Sequence, residues 1–306
     1  MLTCDDYLTP VTLGEAFDAM ENHRGVYRLV AGATDILPWA REGRAGDVHI
    51  PVLIDIAGIP ELNVREVAGG NVRLGAATRF QRFLDDKTLA AALPLMPFCA
   101  VWFADDQIRE SATIGGNLVN ASPAADGTPA LLAHDARVVL SSRKAGKIVQ
   151  RTMPLSEFAT GPSNTMLAAD EILVEVQCPA LPKHGGAFEK VGHRRSLVIS
   201  TVCVAALVEI DATGERFADV KLAVAGIGPV PRRMTAIEEA LKTKALSSAI
   251  LEDAADSAGD LVASRTRQDY RREVVRGFVL RALINAALRA GASTKLISRE
   301  FEAKYA

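Results

Sequence analysis

Three times along this chain two apolar, β-prone runs face each other across a tight turn. Val64–Val67 and Val72–Ala76 flank Gly69-Gly70-Asn71; Arg137–Ser142 and Ile148–Thr152 flank Lys144-Ala145-Gly146-Lys147; Leu197–Ile210 and Ala218–Ala225 are joined across Asp211-Ala212-Thr213-Gly214. Connections this short join strands only as antiparallel pairs, and glycine supplies the positive φ such turns need. Parallel pairing needs a crossover of about a dozen residues or more, so these segments cannot form a strictly alternating doubly wound sheet. Helical stretches around Arg79–Leu93 and Leu95–Phe103 lie between the hairpins, and together they predict an α+β fold.

The first 57 residues read differently. Thr12 and Glu15 form a capping box that predicts a helix over Leu13–Glu21. Tyr27–Ala31 is a strand that opens into the small-residue turn Gly32-Ala33-Thr34-Asp35 before an apolar helix, and Val52–Ile56 is a second buried strand. Residues 1–57 are thus expected to be a small α/β unit, 58–178 an α+β unit and 185–306 a further α+β domain, with Pro179, Pro182 and Gly185-Gly186 as breakers between the last two. The last domain is expected to be an antiparallel sheet with helices on one face. Thr235 and Glu238 make a second capping box, and Val274, Val275, Phe278, Leu283 and Ala286 keep helical spacing up to Gly291. The arginines at 265, 267, 271, 272, 276 and 281 read as an exposed helix face or a contact patch.

Composition narrows the function. A chain of 306 residues has room for two or three domains, and 35 basic against 37 acidic residues leave a net charge of −2. No basic field exists to hold nucleic acid or an anionic membrane. Cys4, Cys99, Cys178 and Cys203 lie far apart without a C-x-x-C pair, so no zinc or iron–sulfur spacing is present and any redox metal is expected in another chain. Met1–Pro10 lacks the basic and apolar regions of a secretory signal, and the 16-residue run Leu89–Ala104 is interrupted by Pro94 and Pro97, too short and broken for a membrane span. A cytoplasmic location is expected.

The segment richest in chemistry is Ala112-Thr-Ile-Gly-Gly-Asn-Leu-Val-Asn-Ala-Ser-Pro-Ala-Ala-Asp126. Without a Cβ at Gly115 or Gly116, backbone N–H groups can approach a pyrophosphate, while a carboxylate at Asp126 suits sugar or ribityl hydroxyls. Gly32-Ala33-Thr34 offers a second small-residue turn, so two loops could grip one diphosphate; the alternative is that each is an ordinary tight turn. No G-x-G-x-x-G, G-K-[ST], G-x-S-x-G or H-E-x-x-H occurs. Asp105-Asp106 reads as a solvated turn or helix cap, or as a carboxylate pair.

The run Trp102–Asp126 with Val30-Ala-Gly-Ala-Thr-Asp-Ile-Leu37 upstream resembles the FAD-binding part of the molybdenum hydroxylases, the family of xanthine dehydrogenase and of carbon monoxide dehydrogenase, and Glu171-Ile-Leu-Val, Ala187–Lys190, Gly226-Ile-Gly-Pro-Val-Pro-Arg-Arg and Tyr270-Arg-Arg follow in the family's order. The resemblance implies a two-subdomain FAD-binding fold of the vanillyl-alcohol-oxidase type followed by an α+β C-terminal domain of the medium-subunit type. It implies that Val30, Ala31, Gly32, Ala33, Thr34, Asp35 and Ile36, with Thr113, Ile114, Gly115, Gly116 and Asn117, cradle the FAD pyrophosphate through backbone amides. It further implies that Asp126 takes flavin-chain hydroxyls, that Phe103 packs near the isoalloxazine, and that Leu173 and Lys190 complete the pocket, with Lys190 a cation near the ring. Phe103 and Leu173 would otherwise read as plain core. Three departures stand out: Ala33 replaces a usual glycine, which suggests φ below zero or a loop set farther from the phosphate; Asp105 stands where glycine is common; Val198 stands near a usual acidic position.

The function implied is that of an FAD-binding electron-transfer subunit. A small 2Fe-2S subunit and a large molybdopterin subunit are the implied partners, in a dimer of heterotrimers, with an external electron acceptor. The rival readings are a stand-alone flavin oxidoreductase with its own substrate pocket and a non-catalytic nucleotide-binding assembly subunit.

Overall fold

The computed structural model describes residues 1–293 apart from Ala45, Arg195, Ser196 and Arg265. Its first unit contains β1 (Asp6–Leu8), α1 (Leu13–Asn22), β2 (Tyr27–Val30), α2 (Ile36–Arg41) and β3 (Val52–Asp55), with the strands in the order β1-β3-β2, all parallel. Thr12 caps α1 by accepting the Glu15 amide, and Glu15 in turn accepts the Val11 amide, so the capping box forms as read. Leu13, Ala16, Phe17 and Met20 bury one side of α1 against Val52 and Ile54; Ile36 packs with Ile50 and Leu53 on the sheet's other face.

The second unit holds β4 (Arg65–Ala68), β5 (Asn71–Gly75), α3 (Arg82–Asp85), α4 (Lys87–Ala92), α5 (Met96–Trp102), α6 (Asp106–Arg109), α7 (Ile114–Asn120), α8 (Gly127–Ala133), β6 (Arg137–Lys144), β7 (Lys147–Pro154), β8 (Ala159–Gly161), β9 (Asn164–Thr165) and β10 (Glu171–Pro179). Both expected hairpins form, and β10 enters between them to give the antiparallel order β4-β5-β10-β6-β7. The apolar run Leu89–Ala104 is mostly buried helix and loop, broken between α4 and α5 at Pro94 while Pro97 sits in the first turn of α5, and Val101 and Trp102 at its end are exposed.

The third unit is the meander β11 (Gly185–Val191), β12 (Val202–Ile210), β13 (Phe217–Ala225) and β14 (Arg232–Arg233), followed by α9 (Thr235–Leu241), α10 (Ser248–Asp260) and α11 (Gln268–Arg289). Its own helices cover one face: Val202, Val204, Ala206 and Val208 of β12 share a core with Val275, Val279 and Leu283 of α11. The alternate residues Cys203, Ala205 and Leu207 join the core of the second unit, and α5 packs on β11 while α8 packs on β12 and β13.

Several sequence expectations need correction here. Gly185 and Gly186 are not breakers but lie inside β11, where a Cβ would meet the Ala286 carbonyl oxygen at 2.0 Å and the Leu95 backbone at 2.5 Å; they are glycines of close packing. The connection between the second and third units is residues 180–184. Thr235 does not cap α9; Met234 holds that position without a side-chain bond, and Glu238 instead accepts the Leu222 amide and pairs with Arg233. The strand expected from Leu197 begins at Val202. The arginine series divides: Arg271 donates to the Thr201 and Gly226 carbonyls, Arg276 pairs with Asp256 and Glu273, Arg281 with Glu189, and Arg265 lies outside the described residues.

Candidate functional site

At the carboxyl end of β2 the chain turns through Gly32–Asp35 and meets the Ser111–Asn117 turn directly, backbone against backbone. A Cβ on Gly32 would lie 2.1 Å from the Ser111 carbonyl oxygen. On the far side the Phe80 amide donates to the Ala112 carbonyl at 3.1 Å, which fixes the second turn to the α+β unit. Between the turns lies a cleft of about 430 Å³ lined by Val30–Ile36, Phe103, Thr113, Gly116 and Asn117, with Arg28, Trp39, Arg44 and Asp47 at one end. Beside it, sharing Val30, Ala31, Thr113 and Gly116 as wall residues, is a second, smaller slot lined by Ile56, Leu62, Ala76, Ala77, Gly115, Ile172 and Leu173. The open cleft offers polar groups; the slot is nearly all apolar and suits a flat heterocycle.

The two turns contribute unequally. Among the described residues, no hydrogen bond within the chain takes the amides of Gly32, Ala33, Thr34 or Asp35, so four N–H groups in succession are available to an anion. Ala33 achieves this with φ +55°, contrary to the expectation of φ below zero; an alanine there costs roughly 1–2 kcal/mol. In the second turn the amides of Ile114, Gly115, Gly116 and Asn117 already donate to Thr78 O, Ala76 O, Thr113 Oγ1 and Thr113 O. The backbone donors expected from this turn are therefore engaged internally. What it gives the cleft is closeness: Gly115 has no room for a Cβ, which would lie 2.7 Å from the Ala76 Cβ. It also lines the cleft with Asn117, whose Oδ1 is turned away from it, buried beside Gly127. Asn120 Nδ2 donates to Asp35 Oδ2 at 3.1 Å and ties the two turns together.

Ile114, Asp126 and Lys190 lie behind the walls. Ile114 is fully buried in the main core. Lys190, on β11, reaches 2.5 Å from Asp126 Oδ2 and donates to the Trp102 carbonyl at 3.1 Å, while the Ser200 hydroxyl donates to Asp126 Oδ1 at 2.5 Å. Lys190 is thus no free cation, because a carboxylate neutralises it inside the protein. Burial pushes the Asp126 carboxyl above the usual range against the opposing pull of Lys190. The pair sits just behind the aromatic wall: Phe103 stacks on Phe80 at 3.8 Å, and a Cβ on Gly127, next to Asp126, would meet the Phe80 ring at 2.6 Å. Asp105 caps α6 through the Ile108 amide, and Asp106 pairs with Arg109, so these two carboxylates serve the helix.

Sequence reading missed Ser200, Phe80 and the Arg28–Trp39–Arg44 end of the cleft. Arg44 lies over the Trp39 ring at 4.1 Å, a pairing whose five-residue spacing carries no recognisable signal. Among the described residues no group of three or more His, Cys, Asp or Glu side chains could hold a metal ion. Cys99, Cys178 and Cys203 are buried free thiols, pushed up by that burial.

Residues 3–181 match the FAD binding domain in molybdopterin dehydrogenase, and residues 187–286 match the CO dehydrogenase flavoprotein C-terminal domain. The chain is 30% identical over 292 residues to a xanthine dehydrogenase FAD-binding subunit of Escherichia coli, covering 93% of this chain and 97% of that one. It is 29% identical over 287 residues to the carbon monoxide dehydrogenase medium chain of Hydrogenophaga pseudoflava, covering 92% and 96%. The solved carbon monoxide dehydrogenase from Hydrogenophaga pseudoflava that lacks the Mo-pyranopterin moiety superposes with a TM-score of 0.85 at 28% identity, over 94% of this chain and 99% of that one.

Proposed function

This chain belongs to the family of FAD-binding subunits of molybdopterin dehydrogenases, and from that premise we propose that its cleft holds FAD as the electron outlet of a larger complex. The observation that carries the reading is a row of unused amides lining a cleft that shares its wall with a mostly apolar slot. The Gly32–Asp35 amides would take the diphosphate, the slot past Gly115 to Leu173 would take the adenine, and Phe103 would back the flavin. The residues fit the cofactor: the four unused amides of Gly32–Asp35 suit its diphosphate, and Gly32 and Gly115, where a Cβ has no space, let the two turns close on each other around it. When bound, FAD supplies a carrier that takes up and releases electrons singly or in pairs. The chain's own work is to grip, orient and keep water from the slot.

The partners in this reading are a small 2Fe-2S subunit and a large molybdopterin subunit in a dimer of heterotrimers, with an external acceptor taking the electrons. No helix among the described residues is long and apolar enough to cross a membrane. We place the complex in the cytoplasm, where the buried free thiols would stay reduced. The test is FAD titration of the full chain, followed by rapid mixing with a reduced iron–sulfur partner. Saturable uptake of one FAD per chain and bleaching of the bound flavin are expected; a chain that takes up no FAD refutes the reading.

A further inference from the structure

The structure assigns to Ser200, a residue of the C-terminal half outside the cleft, the task of positioning the aromatic wall of the flavin site. The inference rests on the FAD reading above and extends it to a residue that contacts neither turn. The Ser200 hydroxyl donates to Asp126 Oδ1 at 2.5 Å, Asp126 Oδ2 receives Lys190 Nζ at 2.5 Å, and Lys190 donates onward to the Trp102 carbonyl at 3.1 Å. Trp102 precedes Phe103, whose ring lines the cleft and stacks on Phe80, and Gly127 packs Asp126 closely behind Phe80 and Asn117. A four-member chain of hydrogen bonds therefore runs from the segment between β11 and β12 to the wall of the cleft, through the buried Ser200, Asp126 and Lys190 to the backbone of Trp102, whose residue is partly exposed.

Each link depends on the charge of Asp126. The groups that face it are the Lys190 ammonium from β11, the Ser200 hydroxyl, the Cys203 thiol from β12 and the Cys99 thiol from α5, the last donating to the Asp126 carbonyl oxygen at 3.4 Å. Of these only Lys190 brings charge, so one cation and its neutral donors are what favour the ionised carboxylate against its burial. Removing the Ser200 donor favours the protonated acid. A protonated Asp126 leaves the Lys190 ammonium buried without its counter-charge, and a buried unpaired charge is costly enough to move. The Trp102 carbonyl and the Phe103 ring then lose their support from behind.

The experiment is FAD titration of the full chain by flavin fluorescence, run from about pH 5 to 9, for the wild type, Ser200→Ala and Ser200→Thr. The visible circular dichroism of bound FAD is recorded for each. Loss of one charge-assisted hydrogen bond is expected to weaken binding about tenfold at neutral pH in Ser200→Ala. The pH below which binding falls off should rise, and the visible dichroism should change, with Ser200→Thr restoring all three. Far-ultraviolet circular dichroism recorded at each pH confines the comparison to conditions in which every variant is folded, so a shifted midpoint there reports binding and not unfolding. Wild-type affinity, midpoint and dichroism in Ser200→Ala overturn the assignment while leaving the FAD reading intact. A wild type that binds no FAD overturns both.

Discussion

Replacing Gly32 by alanine tests the meeting of the two turns most directly. The new Cβ would fall 2.1 Å from the Ser111 carbonyl oxygen, 2.7 Å from its carbon and 3.1 Å from the Ala112 Cα. All three are backbone atoms, so no side chain can swing aside. Ordinary contact begins at about 3.4 Å, and the turns must part by roughly 1 Å to admit the methyl. Overpacking of that kind costs typically about 1–3 kcal/mol. That cost falls on the flavin-free fold and lowers its melting temperature; because the same parting also widens the floor on which the diphosphate would rest, FAD affinity should fall as well, by about tenfold. The assay is FAD titration beside thermal unfolding of the flavin-free chain, with Gly58→Ala, which meets nothing within 4 Å, as the neutral control. Wild-type affinity and melting temperature in Gly32→Ala would mean that the turns do not meet as described.

Other outcomes follow from single groups. Asn120→Asp sets a second carboxylate about 3 Å from Asp35 at the diphosphate turn, and FAD should bind about tenfold more weakly, the loss shrinking in high salt. Ala33→Gly relieves a left-handed alanine at φ +55°, and denaturant unfolding should show a gain of up to about 1 kcal/mol after the added flexibility of the unfolded chain is subtracted. His134 is buried with its proton affinity lowered to about 4 by that burial, so the unfolded chain takes up a proton from about pH 6.5 downward while the folded chain waits until about 4. Stability should be full above that window and decline by about 3 kcal/mol across it; His134→Phe should flatten the decline in pH-dependent urea unfolding. Asp219, held down to about 2 by the His184 hydrogen bond, acts in a lower window: its contribution is present above about 3.8 and is lost as pH falls toward 2.

The hairpins and two strands of the first unit were legible because their signals are local, whereas the short β1 and the parallel pairing around β3 were not read. Gly69-Gly70 and Asp211–Gly214 announce turns through the residues that form them, and Thr12 with Glu15 announces a helix start. The two cleft turns were legible too, as small residues flanked by hydroxyls. What could not be read is whatever depends on a distant partner. Gly185 and Gly186 look like turn glycines until α11 and α5 are set against them. Thr235 and Glu238 match a capping box, but a paired arginine and a strand amide claim the glutamate first. The split between the turns, one with free amides and one with engaged amides, hangs on Ala76 and Thr78 carbonyls from a different element. Lys190 and Asp126, separated by 64 residues, gave no hint that each would neutralise the other.

The β11–β14 sheet has a consequence for dissecting the chain. Similarity to known families divides it between residues 181 and 187, yet Cys203, Ala205, Leu207, Ala223 and Ala225 belong to the same core as Leu93 and Ala130 on the other side of that line. A cut at that boundary would bare the α5- and α8-facing side of the sheet to water, leaving each half with an apolar patch of the kind that drives association.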